Sequence, residues 1–185
     1  SVKPRNSLPD GTYRVAVQSS KELGSDEIAS GTLMVGKASG SLSVSALPLL
    51  SGGMTGPNSS VPVAYLRVGN TGTSATILNG VTLKQNGSAS ASSVIGFTTV
   101  DDKGMNRTTL GGSEGTTPFK SGTAYVPLTA TVLPGQTRIF TIKAQLSRTL
   151  VPGTTLMLDT VSVDTNARVA GVLPIRGTTW TLRTY

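Results

Sequence analysis

Short stretches in which apolar and polar residues alternate run along almost the whole chain, separated by turn-forming dipeptides. Alternation with a period of two is typical of a strand that buries one face. It is clearest over residues 137–144, and it recurs over residues 41–46 and 160–164. In the first of these stretches, the drier face consists of Arg138, Phe140, Ile142 and Ala144. The pattern therefore favours strands nearly everywhere.

The strands and turns follow one another at short, fairly regular spacing, which is typical of a β-sandwich or barrel. Apolar residues are almost continuous over residues 61–68, which predicts a strand buried on both faces. The only helical candidate covers residues 20–29, and Gly24 limits it to a turn or two. We expect strands over residues 13–18, 31–35, 41–46, 61–68, 75–84, 94–100, 124–128, 137–144, 156–164 and 178–183. The turns fall at Asn79-Gly80, Asn86-Gly87, Lys103-Gly104, Gly111-Gly112, Pro134-Gly135 and Pro152-Gly153.

Cysteine and histidine are both absent from the 185 residues. Their absence excludes a Ser-His-Asp triad, a Cys-His pair, a zinc site and a disulfide. No other catalytic pattern replaces them, so we predict a protein that is not an enzyme and uses no cofactor. Aromatic residues make up only 4% of the chain. The core must then be built from Val, Leu, Ile and Ala, which suits two sheets packed face to face.

The length suits a single domain with an additional segment. We interpret residues 1–38 as an N-terminal arm with additional strands, and residues 39–185 as the β-sandwich domain. Residues 51–60 and 111–122 are rich in Gly, Ser and Thr and poor in apolar residues, so both are expected to be exposed loops.

The chain carries 16 Lys and Arg against 9 Asp and Glu, a formal charge of +7. These basic residues are scattered, without a basic run, a basic helix or an aromatic-basic motif, which argues against nucleic acid as a partner. A basic N-terminal arm is common in viral jelly rolls, but here it holds only Lys3 and Arg5. No stretch is apolar over the about 18 residues that a membrane helix needs, so we expect neither a membrane span nor a signal peptide in this chain.

From about Ser39 onwards, the order of features is that of a known family. Residues 40–44 and 61–68 are followed by Asn70-Thr71-Gly72, and later by Pro134-Gly135-Gln136-Thr137 and an alternating strand that ends in Lys143-Ala144-Gln145-Leu146. This order resembles the immunoglobulin-like modules of secreted and surface-layer proteins of bacteria and archaea. The resemblance implies an all-β, Greek-key immunoglobulin-like sandwich, an extracellular or cell-surface location, and a structural, adhesive or assembly role. The basic charge and the first 38 residues depart from the family.

The segment Asp101-Asp102-Lys103-Gly104-Met105-Asn106 carries the only candidate metal ligands. Asp101, Asp102 and Asn106 are oxygen ligands of the kind that calcium prefers. The closing Glu of a calcium loop is missing, and the same residues are typical of a β-hairpin turn, which we favour. Glu114 and Asp101 are a separate possibility, as a catalytic carboxylate pair of the glycosidase type that the fold brings together from distant parts of the sequence.

Both ends of the chain carry strands that could pair with a neighbouring molecule. Residues 12–18 follow a Pro-containing arm and could insert into another subunit by strand addition. Residues 178–185 alternate and could pair within their own sheet or with a neighbour. The candidate assembly residues are Tyr13, Val15, Val17, Trp180 and Leu182.

Three functions follow from these observations. The first is a non-enzymatic structural subunit of a surface layer, pilus or other filament, a homo-oligomer or polymer assembled through sandwich contacts and strand exchange. The second is an adhesin module that binds a glycan or a cell surface through the loops at 51–60 and 111–122. Sugar stacking would call for exposed aromatic residues, and these loops contain only Phe119. The third is a viral or phage coat protein.

Overall fold

The computed structural model describes residues 11–17, 29–35, 40–47 and 52–184. The chain divides into two compact units, Ser1–Ser39 and Gly40–Tyr185. The first ten residues of the predicted arm, and all but the last residue of the predicted helix at 20–29, lie outside the described residues.

The first unit contains one antiparallel pair of strands. Strand β1 (Gly11–Val17) pairs with β2 (Ala29–Val35) along its whole length, from Gly11 opposite Val35 to Val17 opposite Ala29. Both strands were expected from the sequence, and both begin two residues earlier than predicted. In the described part of the unit, β1 and β2 pair only with each other.

The second unit contains two sheets packed together, and it confirms the prediction of an all-β protein with the character of a β-sandwich. Its strands are β3 (Ser41–Ala46), β4 (Met54–Thr55), β5 (Ser60–Asn70), β6 (Thr76–Gln85), β7 (Val94–Asp101), β8 (Asn106–Gly111), β9 (Thr123–Val132), β10 (Thr137–Leu146), β11 (Thr155–Thr165), β12 (Arg168–Ala170) and β13 (Thr179–Leu182). Sheet I has the order β12-β3-β5-β10-β7-β8, and sheet II has the order β4-β13-β11-β6-β9.

The helical content of the described residues is a single 3-10 turn, Ala91–Ser93. None of the helical structure seen there is long and apolar enough to cross a membrane.

The core lies between the inner faces of the two sheets. The face of β10 predicted to be drier is buried, because Arg138, Phe140, Ile142 and Ala144 are each at most 6% exposed. The twelve largest fully buried side chains comprise nine Leu, one Ile and two Phe. An aliphatic core was expected from the shortage of aromatic residues. Phe119, the only aromatic residue of the loop at 111–122, packs edge-on against Phe97 with ring centroids 5.8 Å apart.

Strand β5 differs from its prediction, which had both faces buried. Pro62 and Tyr65 are half-buried and Arg67 is exposed, so one face of the strand meets solvent. A bulge opposite Ile142 and Lys143 shifts the register by one residue. The apolar run reflects this bulge. Because of the extra residue, two consecutive residues, Val63 and Ala64, are both buried, and the alternation then continues from Ala64.

Three short strands were missed. They are β4, β8 and β12, with two, six and three residues. Each takes its conformation from a neighbouring strand rather than from an alternating pattern of its own: β4 pairs with β13, β8 with β7 and β12 with β3.

The last strand completes sheet II of its own chain. It lies between β11, to which it is antiparallel, and β4, to which it is parallel. Leu182 is fully buried in the core. The indole Nε1 of Trp180 donates a hydrogen bond of 2.8 Å to the backbone carbonyl oxygen of Pro62, which belongs to sheet I. Of the two expectations for this strand, pairing within its own sheet is the one observed.

Candidate functional site

A cleft opens at the end of the sandwich where three connections meet. It is formed by the 3-10 turn with its preceding residue, by the loop at 113–117, and by the segment that follows β10. Its volume is about 370 Å³. One carboxylate, Glu114, lines it together with seven hydroxyl side chains: Ser90, Ser92, Ser93, Thr116, Thr117, Ser147 and Thr149. We call this site the hydroxyl cleft.

Glu114 is held in place by one of its two carboxylate oxygens. The hydroxyl of Ser147 donates to Oε1 at 2.6 Å, and the backbone N–H of Arg148 donates to the same oxygen at 3.0 Å. The hydrogen bond from Ser147, which has the strongest influence, that from Arg148 and the positive charge of Arg148 lower the pKa of Glu114, while desolvation opposes them, and Glu114 itself is exposed. The carboxylate is therefore ionised at neutral pH. Within the described part of the chain, nothing donates to Oε2, which leaves one anionic acceptor for a ligand.

The walls of the cleft are fixed by local hydrogen bonds. The hydroxyl of Ser90 caps the 3-10 turn by accepting from the backbone N–H of Ser92 at 3.3 Å. The hydroxyl of Thr117 donates to the backbone carbonyl oxygen of Ala91 at 2.8 Å and ties the loop to this turn. On the other wall, the hydroxyl of Ser147 accepts from the backbone N–H of Thr149 at 3.1 Å. The hydroxyls are thus held on backbone that is itself anchored, as a pre-formed site requires.

Sequence reasoning named Glu114 only as a possible partner of Asp101, and it did not find Ser147. The two residues are 33 positions apart in sequence. Their contact depends on how the loop after β8 meets the end of β10, which no local pattern encodes. The loop at 111–122 had been singled out, and Glu114 is its only acidic residue.

The candidate calcium ligands lie at the turn between β7 and β8, which is the hairpin that we favoured. Asp101 Oδ1 accepts from the backbone N–H groups of Lys103 and Met105, at 3.0 and 2.9 Å. Arg138 Nη2 lies 2.8 Å from Asp101 Oδ2, and Arg138 Nε lies 2.7 Å from Asp102 Oδ1. A guanidinium therefore takes the place that a cation would need. Among the described residues, no group of three His, Cys, Asp or Glu could hold a metal ion.

The same contacts bear on the carboxylate pair of Glu114 and Asp101. The side chain of Asp101 has 0% exposure and is bound to Arg138. It cannot reach a substrate in this conformation, so the two carboxylates do not form a shared site.

The five candidate assembly residues are divided between the two units. Tyr13, Val15 and Val17 lie in β1, whose backbone is paired with β2. Trp180 and Leu182 lie in β13, where Leu182 is buried and Trp180 is partly buried against the sandwich of their own chain.

Comparison of the sequence with protein-family models and with curated proteins finds no match. The chemistry of the hydroxyl cleft and the state of the strand edges therefore carry the functional proposal.

Proposed function

We propose that this chain is a non-enzymatic, extracellular binding module that recognises a glycan through the hydroxyl cleft. The observation that carries the proposal is an ionised carboxylate with one free oxygen in a cleft lined by seven Ser and Thr residues. Sugar hydroxyl groups both donate and accept hydrogen bonds, as Ser and Thr hydroxyls do, and a carboxylate accepts from them strongly. The cleft offers this combination at a single place.

Assembly by strand exchange has weaker support in the sandwich itself. Three of its four edge strands are short: β12 has three residues, β4 has two and β8 has six. The long edge strand, β9, carries Pro127, which has no backbone N–H, and Thr129, which has a φ of +46°. Proline and irregular backbone are devices that keep an edge from pairing with another chain.

The experiment for the glycan proposal compares variants of the cleft on a glycan array and by calorimetry. Wild-type protein is expected to give a specific hit. Glu114→Gln and Ser147→Ala are each expected to weaken binding roughly tenfold or more, because a charge-assisted hydrogen bond is lost or misplaced. Ser45→Ala, at an exposed position of β3 in sheet I, is the matched control and should leave binding unchanged. The absence of any hit for the wild type would refute the proposal.

The pH profile supplies an independent check. The folded-state pKa of Glu114 is depressed, so binding that depends on its charge should persist below the ordinary pH range of glutamate titration. It should then fall as pH decreases through the lowered pKa. Glu114→Gln should lack this step, and a step of equal size in that variant would contradict the role of Glu114.

A structural subunit is the second candidate, and the pairing of β1 with β2 favours it. Each of these strands has seven residues, and in the described part of the chain each is paired on one side only. Backbone groups on an unpaired edge can accept a strand from another molecule. Deletion of residues 1–18 should then abolish assembly, seen by electron microscopy and light scattering, and leave a folded sandwich. Normal assembly after deletion would rule out strand addition by β1.

We further infer that the sandwich is a member of the immunoglobulin-like class with Greek-key connections. The chain changes sheet repeatedly, from β5 in sheet I to β6 in sheet II and back to β7, and again between β8, β9, β10 and β11. Such crossings between two sheets are common to Greek-key sandwiches.

A further inference from the structure

Tyr125 is an exposed aromatic residue on the outer face of sheet II. It lies in β9, just after the loop at 111–122, and 45% of it is exposed. Its hydroxyl donates a hydrogen bond of 2.8 Å to Asp164 Oδ2 in β11. Since β6 lies between β9 and β11, the phenol crosses β6 to make this bond.

Gly80 of β6, which has no side chain, leaves room for the ring of Tyr125. Gly80 is the register partner of Asp164, and a Cβ built at position 80 would lie 2.6 Å from the Cζ atom of Tyr125. The hydroxyl end of the ring therefore lies against the backbone of Gly80, and Tyr125 as a whole remains 45% exposed. Asp164 is itself bound at Oδ1 by the side-chain amide of Asn79, at 3.2 Å. The ring is thus held at its hydroxyl end by Gly80 and Asp164.

The groove beside this ring has a volume of about 520 Å³. Besides Tyr125, it is lined by Leu110, Pro118, Lys120 and three threonines, Thr82, Thr117 and Thr123, and most of its surface is apolar. Lys120 forms no ion pair with any other residue that the structure describes. We call this site the tyrosine groove.

We propose that the tyrosine groove binds an acidic sugar residue, with the sugar ring stacked on Tyr125 and its carboxylate paired with Lys120. The inference rests on the proposed glycan-binding function and names the ligand class. A fixed aromatic ring provides a stacking surface without loss of rotamer entropy on binding, because the side chain is already ordered. Lys120 supplies the complementary charge, and the threonine hydroxyls can bond to the sugar hydroxyls.

The hydroxyl cleft and the tyrosine groove share a lining residue, Thr117, so they are neighbouring sites, which favours an extended saccharide over other anionic ligands. A chain of sugar residues could therefore extend from one site into the other, with its acidic residue in the tyrosine groove. A single-stranded nucleic acid could also stack on Tyr125, but the ionised Glu114 of the cleft would repel its backbone.

The test uses calorimetry on the full chain with methyl galacturonoside, which carries a single carboxylate, and with its methyl ester, which is uncharged and of similar shape. Wild-type protein is expected to bind the acid more tightly than the ester. Tyr125→Ala should weaken binding of both ligands by roughly three- to tenfold, the range of an aromatic contact. Lys120→Gln should weaken binding of the acid alone, by a factor that shrinks at high salt. Tyr125→Phe, which keeps the ring, should bind nearly as well as the wild type.

Lys143→Gln is the matched control, because it makes the same charge change on the outer face of sheet I. Equal loss of acid binding in Lys120→Gln and Lys143→Gln would overturn the inference, since net charge would then explain the effect. The inference would also be overturned if the wild type bound an oligothymidylate but neither saccharide, and if Tyr125→Ala abolished that binding. If the wild type binds a glycan and Tyr125→Ala binds it equally well, the inference fails and the proposed function stands. If the wild type binds none, both fail.

Discussion

Arg138 shows how far a single position can be anticipated from sequence. The alternation of β10 placed it on the drier face, and the structure buries it there. The pattern gave no indication of its partners, Asp101 and Asp102, which lie 37 and 36 residues away. A buried guanidinium requires such partners, because an unpaired charge in the interior is strongly destabilising. Its Cζ atom also lies 5.7 Å from the ring centroid of Phe140.

Replacing Arg138 by methionine should lower the free energy of unfolding by about 3–5 kcal/mol, because the buried carboxylate of Asp101 is left uncompensated. Urea denaturation measures the loss. Arg67→Met removes an exposed arginine from β5 and should change the free energy of unfolding by less than about 0.5 kcal/mol. Equal losses in the two variants would contradict the importance of the buried ion pair.

The ionisation of Tyr125 reports directly on its contact with Asp164. Burial, then the hydrogen bond to Asp164 and the negative charge of Asp164, raise the pKa of Tyr125. Because the folded-state pKa is the higher one, the stabilisation is present below the tyrosine pKa of the unfolded chain and is lost as pH rises through the folded-state pKa. Asp164→Asn should move this titration towards lower pH. Subtracting the phenolate absorbance of the Tyr125→Phe variant, made in both the wild-type and the Asp164→Asn background, isolates the titration of Tyr125. An unchanged titration in Asp164→Asn would disprove the coupling between Tyr125 and Asp164.

At the level of the strands, sequence patterns succeeded where a strand buries one regular face. Strands β3 and β10 are of this kind, and β3 has the predicted bounds. Patterns failed for β5, where a bulge places buried residues next to each other and so hides the alternation. They also failed for β8, whose conformation depends on its pairing with β7. A bulge, or a strand formed only by pairing with its neighbour, depends on the partner strand, so the local sequence pattern does not reveal it.

The edge of β9 supplies a test at this scale. Pro127→Val restores a backbone N–H on the longest edge of sheet II, and we expect it to increase self-association. Size-exclusion chromatography with light scattering should show larger species at high protein concentration. Val126 is buried, so the added side chain at 127 faces outward and leaves the core intact. A variant that remains as monodisperse as the wild type would show that the edge is protected by other means.

For the molecule as a whole, the class of fold followed from composition and turn spacing, whereas the binding surfaces did not. Glu114 with Ser147, and Tyr125 with Asp164, are joined by contacts across 33 and 39 residues. These contacts exist because the chain passes repeatedly between the sheets. The outward position of Tyr125 was implicit in the alternation of residues 124–128, and an exposed aromatic residue was the available signal for the tyrosine groove.

The two units should differ in amide hydrogen exchange. In the described part of the first unit, β1 and β2 pair only with each other, and a two-stranded pair is by itself marginally stable in water, whereas the sandwich has a continuous core. We therefore expect much faster exchange in β1 and β2 than in β5 and β10, measured by mass spectrometry on dilute protein. If the structural-subunit candidate is correct, protection of β1 should rise with protein concentration. Protection of β1 equal to that of β10 at high dilution would show that this pair has another source of stability.

Trp180 is the only tryptophan in the chain, and its indole bonds to the opposite sheet. Its fluorescence therefore reports whether the last strand, β13, remains bound to the opposite sheet. An indole released to water emits at longer wavelength, so detachment of β13 would be visible without any label. Recording this emission while force is applied to the C terminus would distinguish local detachment of β13 from unfolding of the whole sandwich.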